Sequence, residues 1–528
     1  MPTFTSSLRW SIGPAVLAIL VACGGGGGSS EAVTPVDPPV TETETETETE
    51  LAVASTPTIS YGTKAFHFAW PAVPDATYYR LGEDPNSSGS FTVLDGNLTT
   101  PAFAIRDLAI IDLPVAYRYA VQACNDAGCS AWSSVATANP NQAIGIVKGQ
   151  GADLAVYYSK ISPDGKYMAV GTSDGFQLFE SNANGWAWKQ SFTIQSGIAS
   201  MSFQFANDGT LIVGDGGYDG PYADSGIVQI YTKNSSGWTL STILNPPVPK
   251  YLGTYGAFVG ISADASVAFV SEIGIFQAGA MYVYRNVGGA WSLEQQIDPP
   301  VSQQGMIFGA YATMSSDGGT IVAGAQYEDS ASTSDPTDAS ANSAGAAFVY
   351  EYSGGSWVLT TYLKAPMPTA GQLFGTTTAI SEDGSTVVVG ARNSDVSGQV
   401  RAGALYVFKR QGGSHLLQQT ITSDTLAASE YFGGYATSLT PDGQTLLTTA
   451  IGNSSSGVGI DPDGTSGGAA NSGMVKVYRF DGSEFKHVRN LKAPDSAASL
   501  SFGYSLSTSD DGKTLAVGGP GTRSMYVY

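Results

Sequence analysis

The chain has 528 residues, 65 of them glycine, with 13% charged and 11% aromatic residues and a formal net charge of −21. That composition suits many short strands joined by tight turns and argues against long helices. The acidity argues against a nucleic-acid partner, which calls for a basic face, and is read as serving solubility, with cation binding as the sharper alternative. The length allows more than one core.

Residues 1–22 have the pattern of an export signal. Arg9 supplies a positive charge, and Ser11–Ala22 (SIGPAVLAILVA) is an apolar run too short to persist as a membrane-spanning helix. The run ends in Leu20, Val21, Ala22 and Cys23, which resembles the lipobox of bacterial lipoproteins. The resemblance implies cleavage before Cys23, lipid attached to Cys23 and a place in the cell envelope. Gly24 in the following position, where Asp would retain a lipoprotein at the inner membrane, implies the outer membrane. The alternative is an ordinary secretory signal followed by a chance cysteine. The two other cysteines, Cys124 and Cys129, lie in CNDAGC and are expected to pair in an oxidising compartment; no histidine nearby favours a metal site instead. Residues 23–57 form the expected tether. GGGGGSS is flexible, EAVTPVDPPV is extended, and TETETETETE (Thr41–Glu50) has no apolar face and repels itself.

Residues 58–140 change character. Phe66, Phe68 and Trp70 alternate, Pro71 and Pro74 mark a turn, and Tyr117, Tyr119 and Val121 alternate again before CNDAGC. Trp70 with the WxxVxxAxxYxL pattern it opens, YRYAVQA and SAWS together resemble a fibronectin type III domain. The resemblance implies a β-sandwich with Trp70 in the core and Tyr117 as its tyrosine corner, serving as spacer or protein-binding module.

Residues 141–528 repeat themselves. A strand ending in an Asp-Gly turn recurs seven times, at Asp164, Asp208, Asp264, Asp317, Asp383, Asp442 and Asp511, with Ala265 replacing the glycine in the third copy. An apolar strand such as TIVAGA follows each turn, then an alternating strand such as GAAFVY, then, in all but the last copy, a more polar outer strand such as SWVLTTYL. Asp-Gly supplies the backbone of a tight turn, and the apolar run suits a strand packed on both faces. A four-stranded unit of this kind must stack on its neighbours. The last copy stops at Tyr528 after three strands, and an unassigned strand, AIGIVKGQ (Ala143–Gln150), precedes the first. The expectation is therefore an all-β chain in which a seven-bladed β-propeller, closed by that strand, follows the sandwich. FGAYATMSSDG, FGTTTAISEDG, FGGYATSLTPDG and FGYSLSTSDDG, three of them continuing into a VAGA-like strand, resemble FG-GAP repeats, as in integrin α propellers and bacterial surface proteins.

The resemblance implies calcium in a DxDGxxD loop, which needs six to eight oxygen ligands. The blade turns depart from that pattern, because each offers an isolated aspartate or one acidic neighbour. Turn chemistry is the expected role there. Two inserts, Tyr327–Ala344 and Asn453–Ser472, are more acidic, and Glu328, Asp329, Asp461 and Asp463 are the candidate Ca²⁺ ligands. No nucleophile–histidine pattern, HExxH, GxSxG or phosphate loop accompanies His67, His415 and His487. The function expected is a non-enzymatic binding or adhesion module for a protein or polysaccharide, held at the membrane by its lipid, with the two inserts as recognition face. The alternatives are a glycan hydrolase, which would bring two carboxylates together in the central channel, and a structural scaffold in an envelope complex.

Overall fold

Short alternating runs separated by Asp-Gly and Gly-Gly turns become strands throughout. The computed structural model of the chain describes residues 51–113, 117–151, 154–194, 201–274 and 276–528, which hold strands and two short 3-10 turns. The export signal, Cys23 and the tether as far as Glu50 lie outside the described residues. Among the described residues no helix is long and apolar enough to cross a membrane.

From Leu154 onward each repeat folds into an antiparallel sheet whose strands lie in sequence order from inside to outside. Sheet four, for example, contains Ala310–Met314, Thr320–Ala325, Ala346–Ser353 and Ser356–Leu363. Its second strand, TIVAGA, is buried at every residue, as a strand packed on both faces must be. Sheets one to seven begin at Leu154, Met201, Tyr255, Ala310, Phe374, Thr437 and Ser505. Sheet seven takes its outer strand from earlier in the chain: Gly145–Lys148 pairs antiparallel with Ser524–Val527. The innermost strands contact one another in cyclic order, one through seven and back to one, so the sheets form a ring in the manner of a propeller.

The FG and GA landmarks are the stitches between sheets. Phe374 opens sheet five, is fully buried, and donates its N–H to the Ala344 carbonyl of sheet four at 2.9 Å. Gly345 follows Ala344 with φ +84°, and a Cβ there would lie 2.1 Å from the Phe374 carbonyl oxygen. Only glycine fits both constraints. The same arrangement joins Phe308 to Ala278, Phe432 to Ala402 and Phe502 to Ser472, each across a neighbouring pair of sheets.

The Asp-Gly turns form the opposite end of the ring, and their chemistry repeats. In sheet five the Ser381 hydroxyl donates to Asp383 Oδ1 at 2.7 Å, Asp383 accepts the Ser385 N–H at 2.9 Å, and Ser381 Oγ accepts the Thr386 N–H at 2.9 Å. Sheets one, three, four, six and seven repeat the hydroxyl–aspartate bond. Adjacent turns are also linked by backbone bonds: Asn207 to Ala263, Ala263 to Ser316, Asp317 to Glu382, Glu382 to Pro441 and Asp510 to Pro163. The two remaining links would need an N–H from Pro163 or Pro441, which proline lacks.

Residues 58–138 form two sheets. Thr58–Gly62, Ala65–Ala69 and Ala102–Ile105 make one; Tyr78–Asp84, Thr92–Leu98, Tyr117–Asn125, Gly128–Cys129 and Ala136–Ala138 make the other. Phe66, Phe68, Trp70, Leu81, Tyr119 and Val121 fill the space between them. Trp70 packs edge-on against Tyr79 at 5.6 Å. The buried tyrosine of the long strand is Tyr119, and Tyr117 is only half-buried, stacked on Tyr119. The backbone just upstream that a tyrosine-corner hydroxyl would bond, residues 114–116, lies outside the described residues. Cys124 and Cys129 face each other across a hairpin and are disulfide-bonded. The end of the expected tether is not free spacer, because Ala54 and Pro57 are buried and Ala54 joins this core. The same core continues into the ring through Ile460, Leu491 and Tyr528.

Candidate functional site: the aromatic mouth of the ring

Each innermost strand runs from the end where the long connections leave the sheet to the Asp-Gly end. A side chain near its start therefore sits at the mouth on the loop side. Aromatic residues recur at that place: Tyr157 and Tyr158 in sheet one, Phe258 in sheet three, Tyr311 in sheet four, Tyr435 in sheet six and Tyr504 in sheet seven. They converge. Tyr504 lies 5.3 Å from Tyr157 and 5.0 Å from Tyr435, measured between ring centres, and Phe258 lies 4.8 Å from Tyr311. The Arg392 guanidinium, from the end of a sheet-five strand, stands 5.5 Å from the centre of the Tyr435 ring.

Tyr311 belongs to this cluster through its contact with Phe258. It has φ +51°, in a bulge where pairing slips between Ala310 and Thr313. A bulky residue in this region costs about 1–3 kcal/mol, which the surrounding structure must hold in place. Part of the hold is a hydrogen bond from the Thr378 hydroxyl to the Tyr311 carbonyl. Burial pushes the Tyr311 hydroxyl up to about 12, Arg392 opposes, and Tyr504, Tyr158 and Tyr435 reinforce the rise.

The rim adds further rings. Tyr222, Tyr251 and Phe276 are exposed at 53%, 63% and 60%, more than half of each ring presented to solvent. Their loops are bonded in series, Leu252 N–H to the Ala223 carbonyl and Gly274 N–H to the Gly253 carbonyl. Flat apolar faces edged by hydroxyls suit the C–H faces and hydroxyls of sugar rings.

Residues 357–408 match the FG-GAP repeat family. The span begins in the outer strand of sheet four and ends in the third strand of sheet five, so the sequence repeat straddles the boundary that Phe374 and Gly345 stitch. No curated protein matches the chain. Among solved structures, the chain is similar to hydrazine synthase from Kuenenia stuttgartiensis, with 14% identity, a TM-score of 0.49, and 73% of this chain and 99% of that one covered. A β-propeller domain from Myceliophteria thermophila gives 9% identity and a TM-score of 0.46, covering 73% and 99%. The periplasmic gluconolactonase of Pseudomonas aeruginosa gives 12% and 0.41, covering 79% and 97%.

The candidate calcium ligands are not brought together, and among the described residues no group of three or more His, Cys, Asp or Glu side chains could hold a metal ion. Each is engaged singly. Glu328 is buried, accepts the Tyr362 hydroxyl at 2.6 Å and pairs with the equally buried Lys364 ammonium at 2.7 Å. Asp329 accepts the Ser343 N–H at 2.7 Å, closing the base of the first insert. Asp461 pairs with Arg489 at 3.2 Å, and Asp463 caps its own turn through Thr465. Part of the second insert is also committed to packing: Gly459–Ile460 adds a short strand to the outer edge of sheet six, and the Ile460 N–H bonds Asn141 Oδ1.

His415 takes over a tryptophan's task. Trp238 Nε1–H donates to the Gly209 carbonyl of its Asp-Gly turn at 2.8 Å, and His415 Nε2 meets the matching Gly384 carbonyl at 2.8 Å. Burial holds His415 below the usual imidazole range and Nδ1 has no partner, so the neutral ring donates through Nε2. The aromatic mouth itself went unread in the sequence. Its signal was an aromatic two residues after the glycine of an FG or YG pair, as in Gly309–Tyr311, Gly433–Tyr435 and Gly256–Phe258.

Proposed function

We propose that the chain is a non-enzymatic polysaccharide-binding module of the bacterial cell envelope. In this reading the seven sheets are the blades of a closed FG-GAP β-propeller, and residues 58–140 are a fibronectin type III-like spacer. Cys23 carries the lipid, the tether stands off the outer membrane, and the loop end of the ring is the recognition face. The observation that carries the reading is the convergence of Tyr157, Tyr435 and Tyr504, from three sheets, on one mouth beside Arg392, with Tyr311 packed on Phe258. The insert Tyr327–Ala344 flanks that face, shaped from within by the Glu328–Lys364 pair. A glycosidase needs two carboxylates across a sugar ring. Asp510 lines the ring's central cavity, and Glu382, Asp511 and Asp164 lie close enough to raise its carboxyl, so activity on a glycan panel is the test of that alternative.

The test is affinity electrophoresis of the full chain through gels containing glucans, mannans, galactans or uronate polymers. At least one polymer retards the protein, and Tyr435→Ala together with Tyr504→Ala abolishes the retardation without changing mobility in a blank gel. Absence of retardation in every gel, or equal retardation of the double variant, refutes the proposal.

A further inference from the structure

Towards the Asp-Gly end of the ring, the first strands line a chamber of about 160 Å³ that is open to solvent. Its wall is uneven. On the side of sheets four to seven the hydroxyls satisfy one another, Thr313 with Thr378 at 3.0 Å and Ser438 with Thr508 at 2.9 Å. Lys160 of sheet one, Gln204 of sheet two and Asp510 of sheet seven complete the polar lining. Among the described residues, none of these three side chains makes a hydrogen bond, and no ion pair within 4.0 Å joins Lys160 to Asp510. The two charges nevertheless feel each other. Burial lowers the Lys160 ammonium while Asp510 opposes, and partial burial raises the Asp510 carboxyl, with Glu382, Asp511 and Asp164 reinforcing and Lys160 opposing. Asp510 is fixed at the lip by its own N–H, which donates to the Pro163 carbonyl at 2.9 Å.

Opposite charges that face one chamber without meeting are an unusual arrangement. A simple anion entering the chamber meets Asp510, and a simple cation meets Lys160. A molecule that carries both charges neutralises both.

We propose that the chamber binds a small zwitterionic α-amino acid, its carboxylate on Lys160 and the Gln204 amide, its ammonium on Asp510. Size agrees, because a cavity of about 150 Å³ admits a benzene-sized molecule of about six heavy atoms, the size of alanine. Val259, Ile261 and Met314 supply the apolar part of the lining, which suits a short apolar side chain. The site lies on the same first strands as the aromatic mouth, towards their Asp-Gly ends, and does not depend on the glycan reading.

The experiment is isothermal titration of the full chain with L-alanine, and separately with propionate and isopropylamine, each carrying one of the two charges. L-Alanine binds saturably, and each half-ligand binds at least about tenfold more weakly. Lys160→Met and Asp510→Asn each weaken L-alanine by about tenfold or more. Asp510 sits at the exposed lip, so Asp510→Asn keeps the test valid if Lys160→Met fails to fold. No saturable L-alanine binding, propionate binding as tightly as L-alanine, or an Asp510→Asn variant that binds like the parent overturns the proposal.

Discussion

At the Asp-Gly end of the ring the repeats mostly agree, and at the loop end they diverge. The turn at Ser381–Thr386 and the turn at Ser509–Thr514 use the same three bonds in the same places, and the turns are tied to one another around most of the collar. The loop end shares one device, the Phe–Gly stitch, and then differs at nearly every position beyond it. Sheet four adds an insert built on a buried ion pair, sheet six adds an edge strand, and sheets one, three, four, six and seven add aromatic rings. Repetition makes the frame, and departures from repetition make candidate sites. Lys160, Gln204 and Asp510 obey the same rule, since they are the places where the agreeing end stops agreeing.

Breaking the shared device should have the largest effect. Phe374→Ala empties a fully buried position between sheets four and five and should cost about 3–5 kcal/mol in denaturant unfolding. A loss under about 1 kcal/mol would mean that the stitch is not what joins the sheets. A device used by sheet four alone should cost less. Glu328→Gln leaves the Lys364 ammonium buried without its counter-charge and should cost about 2–3 kcal/mol. The same variant should lose no calcium response, because Glu328 is spent on Lys364; a calcium-dependent Tm in the parent that disappears in Glu328→Gln would restore Glu328 as a ligand.

The smallest effect is on pH dependence where the small domain meets the ring. Lys64 is buried there and donates to the Lys513 carbonyl and the Thr514 hydroxyl, both at 2.7 Å. Burial lowers its ammonium to about 8, with Asp107 and Asp511 opposing. Below about pH 8 it is protonated both folded and unfolded, and the cost of burying the charge is carried in full. From there towards 10.5 the unfolded chain still holds a proton that the folded chain has released, so stability rises with pH. Relative to Lys64→Met, the parent should gain about 1–2 kcal/mol over that interval. A constant difference across the interval would show that Lys64 is not desolvated.

Much of the frame was legible because it is local. TIVAGA, GAAFVY and SWVLTTYL are strands at Thr320–Ala325, Ala346–Ser353 and Ser356–Leu363, since period, turn residues and glycines all point the same way. The sites were harder to read because they depend on which strands become neighbours. Tyr157 and Tyr504 are far apart in sequence, and only closure of the ring brings their rings within 5.3 Å. Glu328 shows the same dependence: in sequence it is an acid in an acidic insert, and its partner Lys364 arrives from the far end of the sheet's outer strand. His415 was legible by alignment, because it stands where other copies have tryptophan, and its bond to Gly384 explains the exchange.

The central claim is that the divergent end of the ring recognises a polysaccharide. The most direct measurement compares the affinity of the full chain for the polymer that retards it with the affinities of two variants, one in the mouth and one in the chamber. Tyr311→Gly removes one ring of the mouth and suits a backbone at φ +51°, so strain does not confuse the result. Lys160→Met alters the chamber towards the Asp-Gly ends of the same strands. The account predicts that Tyr311→Gly weakens binding by about tenfold or more and that Lys160→Met leaves it unchanged. Equal affinities for the parent and Tyr311→Gly, or a loss confined to Lys160→Met, would contradict it.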